Sequence, residues 1–311
     1  MLSEEIQEIA EENSRAGRPA EAARLYEELR KRNPDDDSFT LALAWAYHDS
    51  GQIEQAIACF ESLFEKELSR RVFTGFAFDE LVRLFKGLGR YDRLLLICEK
   101  AAAAQPGDYS LLGDLGDAYM KTGQADRAVE VYRRMIEMEP ESSIDYCRLG
   151  DALLALNGFV EAEKAYEKAI AIEPDRAAAY YGRLANEFRK AGHFDRAERT
   201  IRKGLADDPS EPAAYLLLGD LLILEDRADE GWAAYESAVN LRPASAGSYY
   251  FRLGNTLAER SAYEQAAAAF RRAIAVERQN PFYFLNLAAA YASLGREDLA
   301  LEAIRQAQAL N

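Results

Sequence analysis

The chain has 311 residues, 49% of them hydrophobic, with 53 acidic against 38 basic side chains and a net charge of −15. That balance leaves no basic stripe to contact phosphates, which excludes nucleic acid and anionic membrane as expected partners. No uninterrupted apolar run approaches the roughly 20 residues of a membrane-spanning helix, so no membrane insertion is expected.

The N-terminal stretch MLSEEIQEIAEEN is acidic and lacks the basic start and apolar run of a signal peptide. Residues 1–70 hold over half of the charge excess, 16 acidic to 8 basic. The first helical segment places Glu4, Glu8, Glu11 and Arg15 on its outer side, as a solvated cap would. Cys59, Cys98 and Cys147 are scattered without the CxxC spacing of zinc or redox sites, and they read as reduced thiols of a soluble cytoplasmic protein.

From there the chain repeats itself. Pro34, Pro106, Pro140, Pro174, Pro209 and Pro243 are separated by 72, 34, 34, 35 and 34 residues, the first gap being two units plus a four-residue insertion, Arg71 to Thr74. Nine units begin at Ser3, Asp37, Gly75, Tyr109, Ser143, Ala178, Pro212, Gly247 and Pro281. Counting from these starts, positions 4, 7, 8 and 11 form one apolar stripe on a first helix. Small residues at position 8 (Gly116, Gly150, Gly219, Gly254) and position 20 (Ala128, Ala162, Ala197, Ala266) let a second helix approach closely. Proline at position 32 lacks the amide a continuing helix needs and fixes where each unit stops. Leu94 and Gly231 at position 20, and Arg278 at position 32, depart from the pattern and predict looser or shifted packing. The insertion is expected to extend a helix or bend the array.

In the fifth unit the pattern reads Tyr146, Leu149, Gly150, Leu153, Ala162, Tyr166, Ala169 and Pro174. These residues at these offsets resemble the tetratricopeptide repeat, and the resemblance covers nearly the whole chain. It implies an all-α, right-handed superhelical α-solenoid of tandem helix-turn-helix repeats forming a single domain, 1–311. It also implies a concave groove lined by first-helix positions 2, 6, 9 and 13, which holds extended peptides or partner helices.

The groove positions carry complementary charges in successive units: Arg83 with Asp114, Asp117 with Arg148, Asp151 with Arg183, and Asp220 with Arg252, followed by Asn255 and Asn286 in the last pair. A ladder of inter-repeat contacts is expected, setting the twist, serving a ligand, or both. It breaks at Trp45, which stands near Leu41, Phe76, Arg83 and Lys86 and either packs against the next unit or lies open to a partner. It breaks again where Asn186 faces Leu217, beside Leu216, Ile223 and Leu224 on a helix apolar nearly all round, the mark of burial or of an apolar pocket. Some members of the family grip a terminal carboxylate through lysine and asparagines; here Asn255 and Asn286 fit, but Phe251 stands where lysine is required.

Catalysis has little support. His48 lies on a helix face and His193 in a turn, GDLGD at 113–117 falls inside a helix, and no HExxH, GxSxG or Walker motif occurs. The chain therefore reads as a noncatalytic scaffold or adaptor with no cofactor, binding a protein or peptide segment in its groove. The alternative is a self-assembling subunit: Phe282, Leu285, Ala289 and Ala292 point to where a further unit would pack, which would make a homo-oligomer through the C-terminal repeat.

Overall fold

The computed structural model describes residues 3–70 and 73–310. Within them all regular structure is helical. The chain divides into two compact units, Met1–Pro140 and Glu141–Asn311. The first contains α1 (Ser3–Arg15), α2 (Pro19–Arg32), α3 (Asp37–Asp49), α4 (Ile53–Arg70), α5 (Phe76–Leu88), α6 (Tyr91–Ala104), α7 (Tyr109–Lys121) and α8 (Ala125–Met138). The second contains α9 (Ser143–Ala155), α10 (Phe159–Ile172), α11 (Ala177–Lys190), α12 (Phe194–Asp207), α13 (Pro212–Leu224), α14 (Ala228–Leu241), α15 (Ala246–Glu259), α16 (Tyr263–Val276), α17 (Pro281–Ser293) and α18 (Glu297–Gln308).

Each odd-numbered helix pairs with the next as a hairpin, and the hairpins are the repeats expected from the sequence. Six begin where the repeat count puts them; those at Phe76, Ala177 and Ala246 differ from it by one residue. Every hairpin turns through one left-handed residue at repeat position 15. It is glycine in six, from Gly17 (φ 69°) to Gly295 (φ 69°), and Asn157, Asp226 and Ser261 in the others (φ 60–61°). Left-handed backbone costs a residue with a Cβ about 1–2 kcal/mol, which explains the preference for glycine.

Position 8 is small for a specific reason. A Cβ on Gly150 would stand 2.6 Å from the Tyr166 ring, one on Gly116 2.4 Å from Tyr132, and one on Gly254 2.4 Å from Phe270. The glycine makes room for a fully buried aromatic at position 24 of the same hairpin. Where position 24 shrinks to Ile201 or Ile304, position 8 is alanine, though Ala10 and Ala44 also stand beside the aromatics Tyr26 and Phe60.

One expected packing fault does not occur. At Gly231 the fit is tight, because a Cβ there would meet Ile223 Cγ1 at 2.6 Å and the Gly219 carbonyl at 2.9 Å. Leu94 is buried. Arg278 also leaves the helix end in place: α16 stops at Val276, and Asn280 accepts from the Phe282 amide to start α17. α4 runs to 18 residues and ends at Arg70, just before the inserted segment. Arg71 and Val72 lie outside the described residues, while Phe73 packs against Phe64 and Phe78 at ring distances of 6.2 and 6.0 Å.

Candidate functional site

The expected charge ladder is present in part. In the second unit Arg183 of α11 pairs with Asp151 of α9, and Arg252 of α15 donates to Asp220 of α13 at 3.0 Å through Nε. Each aspartate has a further donor from within its own hairpin: Tyr166 for Asp151, and Tyr235 for Asp220. Tyr132 and Asp117 form the same bond in the first unit at 2.9 Å. A buried phenol needs an acceptor, so the core tyrosine at position 24 recruits the carboxylate at position 9. Burial, followed by the Asp151 charge, pushes the Tyr166 hydroxyl well above its ordinary range. Burial also raises Asp151, against the opposing pull of Tyr166 and Arg183.

The pairing is visible in the sequence. Tyr132, Tyr166 and Tyr235 occur with Asp117, Asp151 and Asp220, whereas Phe60, Ile201 and Phe270 occur with Trp45, Asn186 and Asn255. The position-9 aspartates therefore belong first to the hairpin and second to the junction between repeats.

The Arg83 rung and the closing asparagine pair need correction. Arg83 does not reach Asp114; it folds back onto Glu80 at 2.7 Å, and Lys86 takes Asp114 at 2.9 Å. Asn286 donates to the Phe282 carbonyl of its own helix at 2.9 Å, one turn back, and Asn255 is half-buried. Asp117 and Arg148 fall in different units, and within its own unit Arg148 lies 3.3 Å from the buried Asp145. Asn186 does not extend the ladder either: it accepts Arg189 through Nε at 3.3 Å and Nη2 at 2.8 Å.

Each unit has an apolar recess on the helix that carries a ladder break, one turn from it: Leu41 precedes Trp45 by four residues and Gly182 precedes Asn186 by four. In the first unit Leu41, Leu63, Phe76 and Ala77 line about 510 Å³, rimmed by Asp37, Glu67 and Arg70. Phe76 is 43% exposed there. Trp45 is half-buried and sits edge-on to Phe60 of its own hairpin at 5.7 Å. In the second unit Ala178, Ala179, Gly182, Gly204 and Leu217 line about 310 Å³. Counted within the repeat, the two recesses use the same places: Leu41 and Gly182 at position 5, Leu63 and Gly204 at position 27, Phe76 and Ala213 at position 2 of the following hairpin. Along the apolar helix α13, Leu216, Leu221, Leu222 and Ile223 are enclosed and Leu224 is half-buried.

His48 stacks on Trp45 at 5.7 Å, and His193 lies against Phe159 at 4.2 Å. The three cysteines are buried and free, and burial pushes Cys98 up to about 12 and Cys147 up to about 11. Among the described residues no helix is long and apolar enough to cross a membrane.

Three sequence profiles of the tetratricopeptide repeat match the chain, over residues 15–72 and 87–149, over 146–176, and over 183–249 and 251–311. It is 23% identical over 231 residues to the Caenorhabditis elegans tetratricopeptide repeat-containing protein trd-1, a match covering 74% of this chain and 24% of that protein. It is 24% identical over 163 residues to the human protein O-mannosyl-transferase TMTC1, covering 51% of this chain and 18% of that one. The chain thus spans about a quarter or less of the length of these curated relatives. The crystal structure of MamA protein shares 20% identity, covering 55% of this chain and 92% of that one, with a TM-score of 0.41. The profiles take in most of the hairpins described above, and their repeats are those of protein-interaction scaffolds. On the combined reach of the profiles and the hairpins they match, the chain belongs to the tetratricopeptide repeat family.

Proposed function

We propose that the chain is a noncatalytic scaffold which holds an extended or helical protein segment along the first-helix face opposite the repeat cores. The carrying observation is the pair of apolar recesses at equivalent repeat positions, one in each compact unit. Apolar recesses beside a few fixed polar groups are the usual form of an anchor site. The paired charges around them are partly exposed and contribute only about 0–1 kcal/mol each to stability, so they remain available to a ligand's polar groups. Trp45, Leu41 and Phe76 would flank the first anchor, and Asn186 and Leu217 the second. The array acts as a single binding domain in this reading, and a reducing cytoplasmic setting suits its three buried free thiols.

Photo-crosslinking tests the reading. A benzophenone at position 76 or 217 should capture a partner that one at Leu96, a 53% exposed position on α6, does not. Equal capture from all three positions would count against the recesses as anchors.

A second reading, assembly of identical copies, draws on α17. Phe282 is 64% exposed and Leu285 44%, Ala289 and Ala292 are exposed on the same stripe, and Pro281–Ser293 contains no charged residue. Sedimentation across a concentration series should then show a dimer that Phe282→Glu dissociates; a monomer at all concentrations removes this reading.

A further inference from the structure

We infer that the recess of the second unit reads a two-part signal on an extended partner segment: an apolar side chain, with an acidic side chain three residues away. This rests on the recess-anchor reading above and adds the partner's chemistry. The apolar half follows from the recess itself. Gly182 leaves space there, since a Cβ on it would reach only to 3.5 Å from Leu217 Cδ1, and Gly204 lets the Tyr181 ring pack into the wall, where a Cβ would stand 3.0 Å from it. The one charged lining residue, Glu211, is already engaged, capping α13 through the Ala213 amide at 2.9 Å.

The acidic half follows from Arg189. At 100° per residue, Gly182, Asn186 and Arg189 fall within about 60° of arc, so Arg189 stands on the same stripe of α11 as the recess. The neighbouring first-helix arginines all face carboxylates: Arg148 has Asp145, Arg183 has Asp151 and Arg252 has Asp220. Arg189 instead has the neutral Asn186 amide oxygen, which takes Nε and Nη2 and leaves Nη1 without an acceptor among the described residues. The nearby carboxylates are occupied, Glu187 by Lys190 at 2.6 Å and Asp220 by Tyr235, Arg252 and Thr256. Asn186 therefore holds the guanidinium in place without neutralising it, which leaves a positioned donor for an incoming carboxylate.

The spacing comes from helix geometry. Seven residues of α11 separate Ala179, in the α11 wall of the recess, from Asn186, which holds the guanidinium, a rise of about 10.5 Å at ~1.5 Å per residue. An extended strand advances about 3.3 Å per residue, so three residues bridge the two points, in either chain direction.

The test uses the full chain and synthetic nonapeptides in a Gly/Ser background, carrying one Leu and one Glu at separations of one to five in both orders. Binding is read by NMR line broadening of the probe, with helical circular dichroism checking that each variant folds. Probes with a separation of three should bind tightest. Arg189→Gln should weaken them about tenfold, to the level of Leu-only probes, as the loss of one hydrogen bond to a charged group implies. Leu217→Asp, and Gly182→Leu filling the recess, should abolish both. Leu-only probes binding as tightly as Leu/Glu probes would overturn the acidic requirement while leaving the recess intact. No binding by any probe, or binding indifferent to both recess variants, would overturn the anchor reading and this inference with it.

Discussion

The Tyr166 hydroxyl donates to the Asp151 carboxylate across a single hairpin, and the same carboxylate receives Arg183 from the next repeat. One aspartate thus joins the interior of one repeat to the surface of its neighbour. Replacing Asp151 by Ala strands the buried phenol, and a stranded buried donor costs about 1–3 kcal/mol. Tyr166→Phe removes that need along with the donor, so it should cost less, and adding it to Asp151→Ala should recover part of the loss. Urea unfolding of the two single variants and the double variant measures this; strictly additive losses would show that the two residues are not coupled.

Gly150 is predicted to tolerate no Cβ. With Tyr166 only 2.6 Å from the added atom and fully enclosed, Gly150→Ala should destabilise the fold by about 1–3 kcal/mol through overpacking. Thermal melts of this variant beside Gly192→Ala separate two costs that both fall on glycine. The turn glycine meets no atoms within 4 Å and has φ 78°, so its penalty is backbone strain alone.

Ser261 occupies the left-handed turn position with φ 61°, where six hairpins have glycine. Ser261→Gly should raise stability by about 0.5–1 kcal/mol, since the strain of a Cβ in that conformation exceeds the entropy glycine adds to the unfolded chain. A lower melting temperature for this variant would contradict the assignment.

Alkaline pH should unfold the protein cooperatively. Burial first, and then hydrogen bonds to Glu27 and Glu99, push Tyr47 and Tyr119 up to about 12; Tyr166, Tyr181 and Tyr235 are pushed higher still. A tyrosine raised in the folded state stabilises the fold fully below its unfolded value near 10, and that contribution is lost as pH rises through the folded value. Stability should therefore fall between pH ~10 and ~12. Tyrosinate absorbance from the buried phenols should appear together with the loss of helical circular dichroism; full ionisation while the helices persist would contradict the buried network.

The architecture was legible residue by residue. Prolines spaced 34 or 35 apart, small residues at positions 8 and 20, and the apolar stripe located every hairpin to within one residue of its start. Helix period and proline sterics act locally, so the order of residues suffices to read them. The turn glycines and the tyrosine–aspartate pairs were equally visible, but each required comparing two positions within the unit and not one.

The candidate site was legible only as a neighbourhood. Arg83 and Lys86 lie three residues apart on one helix, both long and flexible, and order along the chain cannot say which one meets Asp114. Packing between α5 and α7 gives that contact to Lys86 and leaves Arg83 to Glu80. Likewise, Gly182 and Gly204 are unremarkable as letters, yet they form a recess because α11, α12 and α13 bring the missing side chains together around Leu217. The sequence by itself determined what repeats and, to within one residue, where each hairpin begins, because those are properties of short stretches of backbone. Only the tertiary structure decided which charges pair and where apolar space stays open, because side-chain reach and cavity shape depend on three helices at once.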